Sequence, residues 1–366
     1  MKIWKIVITG GPCAGKSTAM SWIQNAFTER GFKVLFIPET ATELISGGVA
    51  PWTCGTNEDY QKCQVRLQLE KERIFEMAAR TMKAEKILIV CDRGALDNKA
   101  YMNDEEFAHV LEYFGTDEVT LRDSYDAVFH LVTAAKGAAQ FYTTANNTAR
   151  YETAEEARRV DDVLIGCWTG HPHLRVIDNS MDFEEKMLKL IAEITAVVGE
   201  PEPKDIERKF LIDMPDLAWL EAHPQCKRLE ITQTYLLAPE GVEVRVRRRG
   251  ENGHYIYYKT VKRLADRMKI IESEERLTKD EYRDLLLEAD PRMRTLEKTR
   301  YCLSYAGQPL EIDVYPFWEK QAVLQVKVSH PAEDVRIPEE IRVQREITGE
   351  KAFKNVVLAS KNDDEI

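Results

Sequence analysis

A nine-residue stretch near the N-terminus combines glycines, a lysine and two hydroxyls in a spacing that could hold phosphate. Residues 10–18 read GGPCAGKST, so a G-x-x-x-x-G-K-S pattern runs from Gly10 to Ser17 between an apolar strand-like run and a helical pattern. Glycines let successive backbone N–H groups point at one centre, and the following helix adds the positive end of its dipole. This combination predicts a phosphate-binding P-loop.

The P-loop predicts a site for ATP or GTP with Mg²⁺. Its expected members are Gly10, Gly11, Pro12, Cys13, Ala14, Gly15, Lys16, Ser17 and Thr18. In such a loop the lysine reaches the β- and γ-phosphates and the serine hydroxyl binds Mg²⁺. We therefore expect Lys16 to act in catalysis and Ser17 to be a metal ligand.

Two acidic residues lie at the ends of predicted strands, where sites in α/β sheets collect. Glu39 ends VLFIPE, and Asp92 ends ILIVCD with Arg93 directly after it. In a small-molecule kinase one such carboxylate accepts the proton of the attacking hydroxyl, while the other orients Mg²⁺ or its waters. We therefore expect both residues to act in catalysis, and Asp92 also to be a metal ligand. Arg93 could contact substrate or phosphate. The alternative for Glu39 is an acid that stabilises the N-terminus of the helix TATELI.

The polar segment 143–162 is a candidate lid over the transferring phosphoryl group. It carries Arg150, Arg158 and Arg159. A closing lid could bring Arg150 and Arg158 to the phosphoryl group and stabilise its charge. The alternative is a solvated helix face whose arginines pair with Glu155 and Asp162.

In the C-terminal part of the chain, charged and apolar residues alternate. DIERKF places Asp205, Glu207 and Lys209 on one face of a strand. The same alternation gives Glu243, Arg245, Arg247 and Arg249 in VEVRVRRR, Glu272 and Glu274 in IIESEE, Lys298 and Arg300 in EKTRY, and Glu311 and Asp313 in LEIDV. Five such strands predict a barrel with a polar lumen for a polyphosphate, in which cations hold oxygens and carboxylates hold a divalent metal. For any one strand, the alternative is a solvated sheet surface.

The elements that position these residues predict two domains. Strand-like runs alternate with long helical stretches up to about residue 200, which is typical of a parallel sheet with helices on both faces. Shorter alternating strands follow, which favours an antiparallel β-barrel or tunnel with some helix. The predicted boundaries are 1–198 for the P-loop domain, 199–204 for a linker, 205–360 for the tunnel domain and 361–366 for an acidic tail.

The composition restricts the location and the partners that can be expected of this protein. The chain has 366 residues, 44% of them hydrophobic and 31% charged, with a net charge of −11. It contains no transmembrane run and no signal peptide, so we expect a cytoplasmic protein; its negative charge predicts no nucleic-acid partner. The seven scattered cysteines show neither zinc spacing nor a disulfide framework.

The first 200 residues resemble the NadR-like P-loop domains of AAA type. GGPCAGKST, PETATELI and CDRGALDNKAY carry the resemblance. It implies binding of ATP or GTP with Mg²⁺, and it leaves phosphoryl transfer to a small molecule open.

Residues 204–360 resemble the CYTH family of triphosphate tunnel enzymes. DIERKF is similar to the family's E-x-E-x-K signature, with Asp for the first Glu, and ITQTYL, VRVRRR, YYKTVK, LEIDVY and REITGEKAFKNVVLA follow in the family's order. The resemblance implies that Asp205 and Glu207 bind metal, and that Glu272 and Glu274 bind metal or tune the charge. Including Lys298 from the alternation above, the cations expected to hold phosphates are Lys209, Arg245, Arg247, Lys262, Lys298 and Arg300.

One strand departs from the family's pattern. Where the family carries E-x-E, this chain has VLQVKV, with Gln325 and Lys327. Lys327 would repel Mg²⁺, because unit charges about 4 Å apart interact by roughly 4 kcal/mol at an effective dielectric of 20. We therefore expect the tunnel to bind a phosphorylated ligand or polyphosphate and to hydrolyse it poorly.

Three functions fit these features. In the first, the P-loop domain transfers or hydrolyses the γ-phosphate, and the tunnel recognises a phosphorylated substrate or product. In the second, nucleotide occupancy controls the binding of a partner or a phosphorylated lipid headgroup. The third, an active triphosphatase tunnel, is disfavoured by Gln325 and Lys327.

Overall fold

The computed structural model describes residues 1–138, 153–198, 206–265, 269–328 and 333–361. For residue 206 and residues 264–265 and 269–272 it describes the backbone alone. The chain divides into two compact units, Met1–Gly199 and Glu200–Ile366. The predicted linker 199–204 lies outside the described residues, as do residues 362–366 of the predicted acidic tail.

The N-terminal unit is built on a parallel sheet. Its strands are β1 (Lys2–Gly10), β2 (Lys33–Ile37), β3 (Lys86–Asp92), β4 (Ala127–Leu131) and β5 (Leu174–Ile177). They lie in the order β2-β3-β1-β4-β5, and every pairing is parallel. This order puts β1, which leads into the P-loop, directly beside β3, which ends at Asp92.

Helices cover both faces of this sheet. They are α1 (Lys16–Glu29), α2 (Thr40–Ser46), α3 (Asn57–Thr81), α4 (Asp104–Phe114), α5 (Glu118–Arg122), α6 (Ala154–Trp168) and α7 (Phe183–Val198), with a 3₁₀ turn at Ala95–Tyr101. On one face Ile6 and Ile8 pack against α1 and α7. On the other, Val7 packs among residues of α3, α4 and α6. Since neighbouring residues of β1 are buried on opposite faces, Ile6, Val7 and Ile8 form an unbroken apolar run, as in other sheets covered on both sides.

The C-terminal unit is built on a nine-stranded antiparallel sheet. Its strands are β6 (Ile206–Asp213), β7 (Cys226–Leu236), β8 (Val242–Glu251), β9 (His254–Ala265), β10 (Lys269–Leu277), β11 (Leu296–Tyr305), β12 (Gln308–Val314), β13 (Gln321–Val328) and β14 (Val343–Glu346). Their order is β10-β9-β8-β7-β11-β12-β13-β6-β14. The helices are α8 (Leu217–Ala222), α9 (Lys279–Leu285) and α10 (Asn355–Ala359), with 3₁₀ turns at Leu286–Glu288 and Lys351–Phe353.

Tight turns set the register of this sheet. Asn252 and Gly253, with φ of 52° and 85°, join β8 to β9, and Ala306 and Gly307, with φ of 48° and 79°, join β11 to β12. Two residues with positive φ form the hairpin turn whose twist matches that of the strands. The parallel sheet predicted for the first unit and the antiparallel sheet predicted for the second are confirmed.

One face of the antiparallel sheet is apolar. Phe210, Tyr301 and Leu324 pack there against Leu220 of α8 and Ile341. Because side chains alternate along a strand, the charged residues between these positions lie on the opposite face. Within the described ranges, no helix combines the length and the apolarity that crossing a bilayer needs.

Candidate functional site

The P-loop joins β1 to α1 through a backbone that requires glycine at two positions. Gly10 has a φ of +148°, and a Cβ atom there would lie 2.1 Å from the carbonyl oxygen of Leu131. Gly15, the residue before α1, has a φ of +92°, and its Cβ would lie 2.8 Å from the Phe183 ring. A side chain at Gly10 would overlap the backbone of β4, and the positive φ of Gly15 would strain any side chain placed there, so both positions favour glycine.

The first turn of α1 is open to an anion. No side chain caps its first amides, and the turn contains no acidic residue. Lys16 is 9% exposed, whereas Ser17 and Thr18 are exposed. Uncapped N–H groups and the positive end of the helix dipole favour a bound phosphate.

A buried carboxylate in α6 holds the P-loop from behind. Asp161 Oδ1 accepts hydrogen bonds from the backbone N–H of Gly11 at 3.0 Å and of Thr133 at 3.1 Å. His130 Nε2 lies 2.9 Å from the same oxygen, and Lys136 Nζ lies 2.9 Å from Oδ2. Burial raises the pKa of Asp161, but His130 and Lys136 outweigh it and hold the pKa well below its usual range. Asp161 is therefore a fixed anion.

A buried lysine supports the loop from α7. Lys186 Nζ donates to the carbonyl oxygens of Val132 at 2.8 Å and Ala14 at 3.3 Å, and to Asn179 Oδ1 at 2.7 Å. Burial lowers the pKa of Lys186 to about 8. The sequence analysis missed both Asp161 and Lys186, because each meets the P-loop from more than 140 residues away and no local pattern marks them.

Asp92 lies next to the P-loop with one oxygen unsatisfied. It pairs in register with Ile8 of β1. Its Oδ1 is buried and has no hydrogen-bond partner among the described residues. Burial raises the pKa of Asp92, and the charge of Glu39 adds to this against the opposing charge of Lys16. A carboxylate with an unused buried oxygen fits a role toward an absent ligand.

Glu39 has both oxygens engaged. Oε1 accepts from Arg93 Nε at 2.5 Å, and Oε2 accepts from Thr42 Oγ1 at 2.7 Å. Burial raises the pKa of Glu39, but Arg93 and Lys16 outweigh it and lower the pKa to about 2. Glu39 precedes α2 but makes no side-chain cap to its backbone. It is therefore an anion that holds Arg93 in place.

Arg93 adopts an unusual backbone conformation, with a φ of +69°. Its N–H donates to Ile8 O at 3.0 Å, and its carbonyl oxygen accepts from Gln68 Nε2 at 3.3 Å. Such strain in a non-glycine residue persists only where the surrounding structure enforces it, and it clusters at functional sites. Two neighbouring strands and α3 thus fix Arg93 beside Asp92.

Part of the predicted lid cannot be placed. Arg150 lies in residues 139–152, outside the described residues. Arg158 is exposed on α6, and its Nε donates to Ala135 O at 2.8 Å. This contact holds the segment after β4, so the roles of Arg150 and Arg158 toward phosphate stay predictions.

The strand register brings the predicted tunnel residues onto one face of the antiparallel sheet, here called the charged face. Cross-strand partners share a face. Its described members are Glu207 and Lys209 of β6, Glu243, Arg245, Arg247 and Arg249 of β8, Lys262 of β9, Glu274 of β10, Lys298 and Arg300 of β11, Glu311 and Asp313 of β12, and Gln325 and Lys327 of β13. Asp205 lies outside the described residues, and Glu272 has only its backbone described, paired with Lys262.

Asp313 is saturated by cations of its own sheet. It accepts from Lys298 Nζ at 2.6 Å and from Arg300 at 2.7 and 2.8 Å. Burial raises the pKa of Asp313, but Arg300 and Lys298 outweigh it and keep the carboxylate ionised. Arg300 also donates to Glu311. Much of the charge of Lys298 and Arg300 is therefore balanced inside the sheet.

Positive charge accumulates around Arg247. Its Nη2 donates to Glu274 Oε2 at 3.0 Å, while its buried Nε has no partner among the described residues. Burial lowers the pKa of Arg247, and the neighbouring charges of Arg245, Arg249 and Arg300 act in the same direction against Glu274. Burial likewise lowers the pKa of Lys298 to about 8, despite Asp313. Cations that are disfavoured in this way would be stabilised by a bound anion.

Gln325 and Lys327 occupy the charged face without adding a negative charge that could hold a metal ion. The Gln325 amide donates to Asp313. Lys327 pairs in register with Glu207. Burial raises the pKa of Glu311, but the charge of Arg300, followed by that of Lys327, outweighs burial and lowers the pKa. Within the described ranges, no three His, Cys, Asp or Glu residues are grouped closely enough to hold a metal ion. Because Asp205 and Glu272 have no described side chain, the predicted metal site of these residues with Glu207 and Glu274 stays a prediction.

Residues 5–186 match the family model AAA_28, an AAA domain. The match confirms the resemblance of the first 200 residues to AAA-type P-loop domains. The P-loop, Glu39, Asp92 and α6 all lie inside the matched segment. A nucleotide-binding P-loop domain is thus present.

Several solved structures show a limited likeness. The inorganic triphosphatase NE1496 is 26% identical with a TM-score of 0.32, over 44% of this chain and 97% of its own. PH1012 from Pyrococcus horikoshii OT3 is 18% identical with a TM-score of 0.25, over 34% of this chain and 80% of its own. These TM-scores are too low to assign a fold or an activity to the C-terminal unit. Among curated proteins, none matches this chain.

Proposed function

We propose that the N-terminal unit binds ATP or GTP with Mg²⁺ and transfers the γ-phosphoryl group to a hydroxyl, and that the C-terminal unit binds a phosphorylated ligand without efficient hydrolysis. The observation that carries the first part is the unsatisfied buried oxygen of Asp92 beside an uncapped P-loop. A P-loop alone supports nucleotide binding. A poised carboxylate next to it supports chemistry on the bound nucleotide.

The residues divide the work as follows. The P-loop amides and Lys16 hold the phosphates, and the Ser17 hydroxyl would bind Mg²⁺, which offsets the charge on the β- and γ-phosphates. Asp92, whose pKa is raised, takes the proton of the attacking hydroxyl. The hydroxyl oxygen bonds to the γ-phosphorus as the bond to the bridging oxygen breaks, and the nucleoside diphosphate leaves with that electron pair. Glu39 is a poorer base, because both of its oxygens already accept hydrogen bonds.

Nucleoside diphosphate formation tests this assignment. Lys16→Ala should weaken nucleotide binding, whereas Asp92→Asn should bind nucleotide within about threefold of wild type and lose about 100-fold in turnover. Asp104→Asn, an exposed carboxylate on α4, is the matched control and should leave both unchanged. Full turnover by Asp92→Asn would refute the catalytic role. Tight binding with equally slow hydrolysis in every variant would instead favour a nucleotide-controlled switch.

A second observation carries the role of the C-terminal unit. Gln325 donates to Asp313, and Lys327 lies near Glu311, so these positions add donors and positive charge. A charged face made more positive in this way favours retention of an anion over metal-assisted hydrolysis. Tripolyphosphate should therefore bind to the C-terminal unit, and the Lys16→Ala variant should bind it there as tightly as the wild type does. Phosphate release that persists in Lys16→Ala and disappears in Glu207→Ala would show an active triphosphatase instead.

A further inference from the structure

Four successive carbonyl oxygens of the P-loop accept hydrogen bonds from the protein. In order along the loop, the acceptors and their donors are Pro12 O with Thr133 Oγ1, Cys13 O with the Ala134 N–H at 3.3 Å, Ala14 O with Lys186 Nζ at 3.3 Å, and Gly15 O with the Ala19 N–H at 3.0 Å. In a trans peptide, a C=O group and the N–H of the next residue point in opposite directions. Each N–H of residues 13–16 therefore points away from the donor that holds the preceding carbonyl.

These donors decide how the loop presents its amides. Successive N–H groups that turn towards one centre form an anion site, so a peptide that rotates removes its N–H from that site. Three of the four donors are a hydroxyl or backbone N–H groups, which carry no charge. The fourth is the ammonium group of Lys186, and it holds the peptide between Ala14 and Gly15.

The surroundings of Lys186 are matched to its ammonium form. Besides Ala14 O, Nζ donates to Val132 O at 2.8 Å and to Asn179 Oδ1 at 2.7 Å. An ammonium group has three N–H donors and no acceptor, so these three oxygens use all of its donors. A neutral amine would donate only twice and would turn its lone pair towards the third oxygen. The hold on Ala14 O, the longest of the three contacts, therefore depends on the charge of Lys186.

Burial opposes this charge. The side chain of Lys186 is 3% exposed. Burial lowers the pKa of Lys186 to about 8, against the opposing charges of Asp161 on α6 and Asp178 after β5. Asp161 also contacts His130 and Lys136, so its negative charge is shared among several groups. Further negative charge on the far side of the loop would favour the ammonium form and raise the pKa of Lys186.

We infer that Lys186 is a positioning residue for the nucleotide phosphates, which keeps the Gly15 N–H turned towards them and couples their binding to the uptake of a proton. The inference rests on the proposed binding of nucleotide by the N-terminal unit. Bound phosphates stabilise the ammonium group, and the ammonium group stabilises the loop conformation that binds them. Because the coupling is reciprocal, nucleotide affinity falls as pH rises through about 8, where the free protein loses this charge.

Titration calorimetry of the full chain with Mg–ATP or Mg–GTP measures this coupling. The titration is made near pH 8 in Tris and in EPPS, whose ionisation enthalpies differ, so the difference in heat gives the protons taken up per nucleotide. The wild type should take up about 0.4 proton more than Lys186→Met, because a half-charged lysine becomes about nine-tenths charged when its pKa rises by about one unit. From pH 7 to pH 9 the nucleotide Kd of the wild type should rise about fivefold more than that of Lys186→Met.

Two further variants separate the charge of Lys186 from its packing. Lys186→Met should bind nucleotide about tenfold more weakly than the wild type at pH 7, because the charged hydrogen bond to Ala14 is lost. Lys186→Arg stays charged throughout this pH range, so it should recover affinity at pH 7 to within about threefold of the wild type and yet lack the additional proton uptake. Lys189→Met is the matched control: Lys189 lies three residues later on α7, is partly exposed, and should change neither quantity.

The inference is overturned if Lys186→Met takes up as many protons as the wild type, even with a lower affinity, because Lys186 would then only support the fold. Equal affinities of these two proteins at every pH would overturn it as well. Should circular dichroism show that neither Lys186 variant folds, the Lys298→Met variant decides, because it removes a lysine of the C-terminal unit whose pKa burial also lowers to about 8. Nucleotide binding by Lys298→Met without proton uptake near pH 8 would overturn the inference. If the wild type binds no nucleotide at all, the proposed function fails instead.

Discussion

The P-loop and the charged face both suit phosphate, but they gain positive character in different ways. In the P-loop it comes mainly from backbone N–H groups and a helix dipole, and Lys16 is the ionised side chain of the loop itself. On the charged face it comes from side chains such as Arg245, Arg247 and Arg249; burial, with the charges of Arg245 and Arg249 added to it, lowers the pKa of Arg247. Backbone dipoles need no proton and cannot be removed by exchanging a side chain. The charge of a cluster of buried cations depends on pH and is lost when a side chain is exchanged.

The carboxylates near the P-loop also differ from those on the charged face. Near the P-loop, Asp92 keeps an oxygen without a partner and Glu39 is bound to an arginine that it orients. On the charged face, Asp313 is bound by Lys298 and Arg300. The comparison is in line with the proposed functions, in which the N-terminal unit transfers a proton and the C-terminal unit retains an anion.

The largest expected effect comes from the backbone of the P-loop. Gly10→Ala should lower the free energy of unfolding of the N-terminal unit by about 3 kcal/mol, because its Cβ would overlap Leu131 O and its positive φ would be strained. Urea unfolding measures the loss. Gly48→Ala is the control: Gly48 also has a positive φ, but nothing lies within 4 Å of its Cβ, so only about 1–2 kcal/mol should be lost. Equal losses in both variants would contradict the steric argument.

The next effect should appear on the charged face. The double variant Arg245→Ala/Arg247→Ala should bind tripolyphosphate about 100-fold more weakly, since each arginine contributes charge-assisted hydrogen bonds. Titration calorimetry in the Lys16→Ala background isolates this site. Arg283→Ala, an exposed arginine of α9, should leave the affinity unchanged. If the double variant kept wild-type affinity, the anion would bind elsewhere.

Restoring the E-x-E pattern should reverse the character of the charged face. Gln325→Glu/Lys327→Glu replaces one neutral and one positive side chain with two carboxylates, so metal-free tripolyphosphate should bind about 30-fold more weakly. With Mg²⁺ present, phosphate release should rise above the wild-type rate. Unchanged affinity and unchanged hydrolysis would mean that neither position faces the ligand.

A smaller effect should follow pH. Burial lowers the pKa of Lys298 to about 8, so its charge disappears as pH rises through that value. An unfolded lysine titrates near 10.4. Between pH 8 and 10 the unfolded chain therefore binds more protons, and deprotonation of Lys298 favours the folded state while it weakens anion binding. Affinity for tripolyphosphate should fall up to about tenfold from pH 7 to pH 9, relative to a Lys298→Met variant. If the affinity for tripolyphosphate changed equally with pH in the two proteins, Lys298 would not be the titrating group.

The sequence predicted what is local or periodic. The P-loop was readable because its members are contiguous, and alternation along β8 and β11 predicted which residues share the charged face, as the register bears out. Asp161 was not readable, because its contact with Gly11 depends on how α6 returns to the sheet. The pairing of Asp313 with Lys298 was also hidden, since alternation assigns a face but not the partner across it. Whether these residues act as assigned stays a prediction.

Counting the triphosphate sites tests the central claim most directly, because the claim is that one chain carries two independent ones. Tripolyphosphate is titrated into the wild type, the Lys16→Ala variant and the Arg245→Ala/Arg247→Ala variant, with and without saturating Mg–nucleotide. With saturating Mg–nucleotide, the account predicts that one equivalent of tripolyphosphate binds to the wild type and to Lys16→Ala. It predicts that none binds to the double arginine variant. Loss of all binding in Lys16→Ala, or full displacement by Mg–nucleotide, would show a single site and contradict it.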